Sequence, residues 1–162
     1  MASIVLVGPM GSGKTTLGKR LAKELELEFL DTDKLIARDH GAITKIFSEK
    51  GEEHFRQLET QYLADSLPGS AVVATGGGIV IREENRDLMK GQLVVFLDTD
   101  SEHVLGKVNI SKRPLLKDNP ERWQEIYQTR KPLYESVATA TVYTGGRSIK
   151  TLIQELKELI SK

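Results

Sequence analysis

Apolar residues along this chain alternate between two kinds of segment. Short, nearly unbroken runs occur at Ser3–Val7, Glu28–Asp31, Ala71–Thr75, Leu93–Leu97 and Ala140–Tyr143. Runs of this length, rich in β-branched residues and bounded by glycine, proline or acidic clusters, predict buried strands. Between them the apolar residues recur at helical spacing. Leu17, Leu21 and Leu25 fall every fourth residue after the first run. Helical patterns follow at about 33–40 and 43–50, broken at Gly41 and Gly51. A longer helix is expected over Glu52–Leu67, with Phe55, Leu58, Tyr62 and Leu63 as its apolar set and Pro68-Gly69 as its stop. Arg82–Lys90, Glu102 to about Val108, and Glu121–Ser136 also read as helix. Pro132 inside the last of these predicts either a kink or a junction between two helices. Ser111–Pro120 is basic and punctuated by proline, which predicts a loop. Ile149–Ile160 closes the chain as a helix with Leu152, Ile153, Leu156, Leu159 and Ile160 on one side.

Alternating strands and helices, with strands that are apolar throughout, specify an α/β fold. A parallel sheet is covered by helices on both faces. Ligands of such sheets sit beyond the carboxyl ends of the strands. The polar groups just past each strand are therefore the candidates for chemistry.

The first strand runs into Gly8-Pro-Met-Gly-Ser-Gly-Lys-Thr15, which satisfies the phosphate-loop pattern G-x-x-x-x-G-K-[ST] between a strand and a helix. Its glycines let the backbone wrap a phosphate with N–H groups turned inward. The helix that starts near Gly13 brings its positive end to the same place. Gly11, Ser12, Gly13, Lys14, Thr15 and Thr16 are accordingly the candidate nucleotide contacts. Lys14 is expected at the β- and γ-phosphates, and the Thr15 hydroxyl on Mg²⁺.

The second strand ends in Asp31-Thr-Asp33. Alternate residues of an extended chain face opposite sides. One carboxylate can then face the metal while the other faces an acceptor hydroxyl. The bland alternative is that Asp33 caps the following helix. Thr75-Gly-Gly-Gly78 follows the third strand and offers backbone donors at close range, or else a simple glycine turn. Asp98 to Asp100 reads as a loop and helix cap. His40, His54 and His103 are scattered, with no second ligand at metal spacing, and read as surface or helix-packing residues. Arg56 can pair with Glu53 or Glu59 along its own helix.

Composition narrows the partners. The 162 residues suit one domain, with 39% apolar and 28% charged residues. Basic and acidic residues balance at 23 each, which gives no electrostatic footprint for nucleic acid and no polybasic segment for a membrane surface. The absence of cysteine excludes disulfides and thiolate metal sites. With a strand at the very start and no run of membrane length, the expectation is a cytoplasmic protein.

Over essentially its whole length the chain resembles the shikimate kinases. The resemblance rests on GPMGSGKTTLG, FLDTD, GEEHFRQLE at 51–59, VATGGG at 73–78, KRPLL at 112–116 and TRKPLYESVA at 129–138. It implies a three-layer fold of the nucleoside-monophosphate-kinase type with five parallel strands. ATP and Mg²⁺ would be required, and shikimate would be phosphorylated on its 3-hydroxyl on the way to aromatic amino acids. By the same resemblance Asp33 would contact the acceptor hydroxyls and act as base. Arg56 and Arg130 would hold the acceptor carboxylate, and Gly77 and Gly78 would contact the ring hydroxyls. Asp31 would lie near Mg²⁺, Arg113 would swing in with a lid at about 106–120, and Arg147 would contact the nucleotide. The segment at about 32–63 would form the substrate-binding helices. Small size and the habit of the family imply a monomer. The chain departs from the family pattern at Gly106, where a second lid arginine is frequent, and at Tyr143 and Ile149, where an acid and a proline are frequent.

Related kinases that act on gluconate or nucleoside monophosphates share the phosphate loop, but not the TGGG, RPLL and R-x-PLY set. A guanine-specifying N/T-K-x-D segment, which a GTP-dependent switch needs, does not occur.

Overall fold

The computed structural model describes residues 2–105 and 121–161. The expected lid at about 106–120, with Gly106 and Arg113, lies outside the described residues. Five strands, β1 (Ile4–Val7), β2 (Glu28–Asp31), β3 (Ala71–Ala74), β4 (Leu93–Asp98) and β5 (Ala140–Tyr143), form one sheet in the order β2-β3-β1-β4-β5. Every pairing is parallel, with Ile4 opposite Val72 on one side and Leu93 on the other. The described helices are α1 (Lys14–Leu25), α2 (Thr32–His40), α3 (Ile43–Lys50), α4 (Glu52–Ser66), α5 (Glu83–Leu88), α6 (Ser101–Leu105), α7 (Arg122–Val137) and α8 (Ile149–Ile160). None of them is long and apolar enough to cross a membrane.

The period-2 geometry of the central strands divides the core into two layers. Ile4 and Leu6 of β1, with Val95 and Leu97 of β4, face Leu17 and Leu21 of α1 and Leu152, Ile153 and Leu156 of α8. Val5, Val7, Val94 and Phe96 face the other way, onto Leu63 of α4, Met89 and Tyr134 of α7. Both faces of β1 are covered, which is why its sequence carries no polar position. A smaller apolar cluster of Ile36, Ile46, Phe55 and Leu58 locks α2, α3 and α4 onto one another.

The element bounds follow the sequence pattern closely, with two informative differences. First, Asp31, not Asp33, caps α2: its carboxylate accepts from the Lys34 N–H at 3.1 Å. The helix starts one residue earlier than the pattern at 33–40 implies, which places Asp33 in its first turn. Second, α7 runs as one helix through Pro132. A proline there removes one backbone bond. Burial of Trp123, Arg130 and Tyr134 along the helix outweighs that loss.

The carboxyl ends of β1, β2, β3 and β4 meet at one edge. Gly8 passes directly over the end of β4, so close that a Cβ on it would stand 2.2 Å from the Leu97 carbonyl oxygen. Only glycine fits that approach, and its φ of 150° suits glycine alone.

Candidate active site

At this edge a cleft of about 810 Å³ is lined by the loop from Met10 to Thr16, by Asp31 and Asp33, and by Thr75 to Gly77. It continues on one side toward Lys34, Ala37 and Ala42–Thr44, and on the other toward Thr99, His103, Thr144, Gly145, Arg147 and Ile149. All six candidate nucleotide contacts from Gly11 to Thr16, together with Arg147, therefore share one cavity.

The phosphate loop is held from three directions. Thr144 donates its hydroxyl to the Ser12 carbonyl at 2.8 Å, Trp123 donates its indole N–H to the Met10 carbonyl at 3.0 Å, and Lys14 donates to the Gly8 and Pro9 carbonyls. Gly13, at φ 98°, caps α1 with no side-chain bond of its own. The first-turn N–H groups of α1 thus open toward the cleft, an arrangement suited to an anion. Ser12 Oγ is buried there with no hydrogen-bond partner.

Thr15 and Asp31, the two residues expected at a metal, touch: the Thr15 hydroxyl donates to Asp31 Oδ2 at 2.7 Å. Both are oxygen ligands of the kind Mg²⁺ takes, and Mg²⁺ ordinarily uses one or two such groups and completes its shell with water and phosphate. No group of three or more His, Cys, Asp or Glu at metal-binding spacing exists among the described residues. The pair fits a cation of that class beside the loop, and does not fit an ion that demands a full protein cage.

Asp33 lies against the glycine turn after β3. A Cβ on Gly76 would come within 2.6 Å of its Oδ1, so glycine at 76 is what lets the carboxylate reach the cleft wall. The cap reading of Asp33 is thereby set aside, since Asp31 fills that role.

Behind the same turn sits a buried charge cluster. Arg56 on α4 donates Nη1 to Glu59 Oε1 at 2.7 Å and Nη2 to Glu52 Oε2 at 3.2 Å. Its partners are thus Glu59 and Glu52; Glu53 lies instead 3.8 Å from Arg82. The guanidinium carbon stands 5.4 Å from the Phe55 ring. A Cβ on Gly78 would collide with Arg56 Nη1 at 2.1 Å, so the glycine makes room for the guanidinium. Arg130 on α7 reaches the same place, with Nη1 3.6 Å from where a Cβ on Gly77 would be. The Tyr134 hydroxyl, on the same helix, donates to the Gly77 carbonyl at 2.5 Å.

Arg56, Glu59, Arg130 and Tyr134 are all buried, Glu59 to 1% exposure. Burial pushes the Glu59 carboxyl above its ordinary range, while Arg56 and Arg130 pull it back. Burial also holds the Arg130 guanidinium below arginine's ordinary value, with the Arg56 charge adding to that. Guanidinium groups nonetheless stay charged in proteins. Tyr134 is pushed up to about 12 by burial, so its hydroxyl keeps its proton and can donate to Gly77. Two cations thus share one buried carboxylate. Arg56 takes it directly, and no carboxylate among the described residues stands within 4.0 Å of Arg130. Glu52, which is half exposed, also pairs with Arg56, so Arg130 is the buried guanidinium with no carboxylate beside it among the described residues, and planar guanidinium forks favour a carboxylate or phosphate. Arg56, Gly78 and Arg130 are not part of the open cleft wall; they back it.

Arg147 is anchored by the Tyr143 carbonyl at 2.8 Å and by Glu155. Asp100 caps α6, accepting from the His103 N–H at 3.0 Å, as its loop position predicts. Three contributors escaped sequence reasoning. Tyr134 sits on a segment that reads simply as helix, Trp123 bonds across 113 residues, and His103 lines the cleft. Of the two partners that helix spacing offers Arg56, the structure forms the pair with Glu59.

Comparison with known proteins places this architecture. The family model for shikimate kinase matches residues 10–161. A shikimate kinase of Corynebacterium glutamicum is 43% identical over 154 residues, spanning 93% of this chain and 91% of that protein. One from Vibrio parahaemolyticus is 42% identical over 166 residues, spanning 99% and 96%. The solved structure of shikimate kinase from Acinetobacter baumannii in complex with shikimate superimposes with a TM-score of 0.92 at 40% identity, over 99% of this chain and 93% of that one. The chain belongs to the shikimate kinase family, and its sheet and helices form the three-layer phosphate-loop fold of the nucleoside-monophosphate-kinase type.

Proposed function

We propose that this protein transfers the γ-phosphoryl group of ATP to the 3-hydroxyl of shikimate, giving ADP and shikimate 3-phosphate in the synthesis of aromatic amino acids. The observation that carries this reading is that two buried guanidinium groups, Arg56 and Arg130, converge behind Gly77–Gly78, a turn whose Gly77 lines the phosphate-loop cleft. Shikimate offers one carboxylate for the guanidinium forks and ring hydroxyls for Asp33 and the glycine backbone.

In this reading the loop N–H groups from Gly11 to Thr16 cradle the β- and γ-phosphates, and Lys14 turns from the loop carbonyls to the transferring group. Asp33 orients the 3-hydroxyl and takes its proton as the new O–P bond forms and the bond from γ-phosphorus to the bridging oxygen breaks. The two electrons of that bond leave with ADP. Thr15 and Asp31 hold Mg²⁺, which when bound neutralises phosphate charge. Arg113, outside the described residues, adds positive charge from the lid by the family resemblance, and Arg147 contacts the nucleotide. Such catalysis is mainly positioning and charge stabilisation. The helices α2 to α4, joined by their own apolar cluster, serve as the acceptor-binding unit of a single domain. Small size and the habit of the family support a monomer, and the cytoplasm is the compartment expected for it.

Phosphorus NMR of the protein with MgATP and shikimate tests the assignment. A phosphomonoester signal of shikimate 3-phosphate growing in step with ADP is expected. ADP and inorganic phosphate without that ester would contradict it.

A further inference from the structure

The cleft has two arms around the phosphate loop, and the acceptor reading occupies only the arm beside β2 and β3. The other arm, past β4 and β5, is lined by Thr99, His103, Thr144, Gly145, Arg147 and Ile149. With the triphosphate on the loop and the acceptor on the first arm, the second arm is where the nucleoside must lie.

One side chain in this arm is held in a defined orientation. His103 Nδ1 lies 2.8 Å from Asp100 Oδ1. The other Asp100 oxygen accepts from the Tyr143 hydroxyl, and the Tyr143 and His103 rings meet edge to face at 6.4 Å. These bonds hold the Asp100 carboxyl down at about 2, so it is an ionised, acceptor-only partner at neutral pH. The proton of a neutral His103 ring therefore sits on Nδ1, and Nε2 is left as an acceptor. A Cβ on Gly146 would stand 3.0 Å from Nε2, so glycine at that position keeps the nitrogen uncrowded. The imidazole is one-third exposed, at 35%.

We propose that His103 is a base-specificity residue of the nucleotide site: Asp100 and Tyr143 hold its ring so that Nε2 accepts a hydrogen bond from the 6-amino group of an adenine nucleotide. A 6-oxo purine presents an acceptor at that position, and two acceptors facing each other lose the bond and leave Nε2 desolvated. The proposal rests on the kinase reading above, because that reading assigns the second arm to the nucleoside.

The test compares ADP with IDP, which differ at the 6 position of the base, by calorimetric titration at pH 8 on the wild type, His103→Ala and His103→Phe. Phenylalanine keeps the ring packing against Tyr143 and Gly145 and removes the acceptor. The wild type should bind ADP about threefold to tenfold more tightly than IDP, the worth of one hydrogen bond. Both variants should bring that ratio close to one, while KM for shikimate stays at the wild-type value. A wild type without preference, or a His103→Phe protein that keeps the full preference, overturns the proposal. Turnover of MgATP and shikimate on the same wild-type preparation separates the two readings. Turnover with an unaltered ratio in the variants removes only the role of His103, whereas no turnover removes the kinase reading itself.

Discussion

The Thr15 hydroxyl and the Asp31 carboxylate meet at 2.7 Å across 16 residues of sequence, joining the phosphate loop to the end of β2. The same carboxylate caps α2 through the Lys34 N–H. One residue thus fixes the helix that carries Asp33 and faces the expected cation position. Asp31→Asn keeps a competent cap, since asparagine caps as well as aspartate. Its melting temperature should stay near that of the wild type. The Mg²⁺ concentration needed for half-maximal turnover should rise at least severalfold, as titration of activity with Mg²⁺ will show.

Asp33 is relieved of capping and lies against Gly76 at the cleft wall. Asp33→Asn removes the charge and basicity and keeps the shape. The expected result is a fall in kcat of about 10²-fold or more, the range of a lost general base, with little change in thermal midpoint. Melting and turnover measured on one preparation check it. A loss of stability with normal turnover would return Asp33 to a structural role.

Glu59 is the carboxylate that lets two buried guanidinium groups coexist. Breaking a buried ion pair by removing one partner costs about 3–5 kcal/mol. Glu59→Gln retains shape and part of the hydrogen bonding, so a loss toward the lower end of that range is expected in denaturant unfolding. Because shikimate would bring its own carboxylate to Arg56 and Arg130, saturating shikimate should stabilise the variant more than it stabilises the wild type.

Asp100 supplies a pH-dependent signature. Its carboxyl is depressed from 3.8 to about 2, first by the Tyr143 hydroxyl and then by the His103 N–H. A depressed acid contributes stability that is fully present above its unfolded value and disappears as pH falls through its folded value. The difference in melting temperature between the wild type and Asp100→Asn should therefore shrink as pH falls from about 4 to 2. The group is exposed, so the difference is small.

The fold was legible because buried parallel strands and amphipathic helices leave opposite signatures in a sequence. Ile4 to Val7 has no polar position, and Leu152, Ile153 and Leu156 mark one face of α8. The phosphate loop was legible because its residue types are those a phosphate cradle demands, whereas Asp31, Asp33 and the three glycines after β3 stood out as candidates by their place past strand ends, with a cap or a plain turn as the alternative. Arg56 and Arg130 were not: nothing local separates them from other arginines, and they were singled out by resemblance to a family. Tyr134, Trp123 and His103 escaped because their partners are fixed by tertiary packing, whereas the spacing along one helix already offered Glu59 to Arg56. Tyr134 reaches Gly77 across 57 residues, and His103 meets Tyr143 across 40. The reading of Asp33 as a possible cap failed by two positions, a small shift in helix start with a large consequence for which aspartate is left for chemistry.

The central claim is that Arg56 and Arg130 grip the carboxylate of the phosphoryl acceptor. Initial rates with shikimate, its methyl ester, and a mixture of shikimate and gluconate, each at saturating MgATP, test it most directly. Shikimate should be phosphorylated, its ester should be a very poor substrate, and gluconate should neither be phosphorylated nor compete. Arg56→Lys and Arg130→Lys should each raise KM for shikimate with little effect on KM for ATP. The two changes together should cost less than the sum, because both side chains hold one group. Efficient phosphorylation of the ester, or preferential phosphorylation of gluconate, would contradict the account.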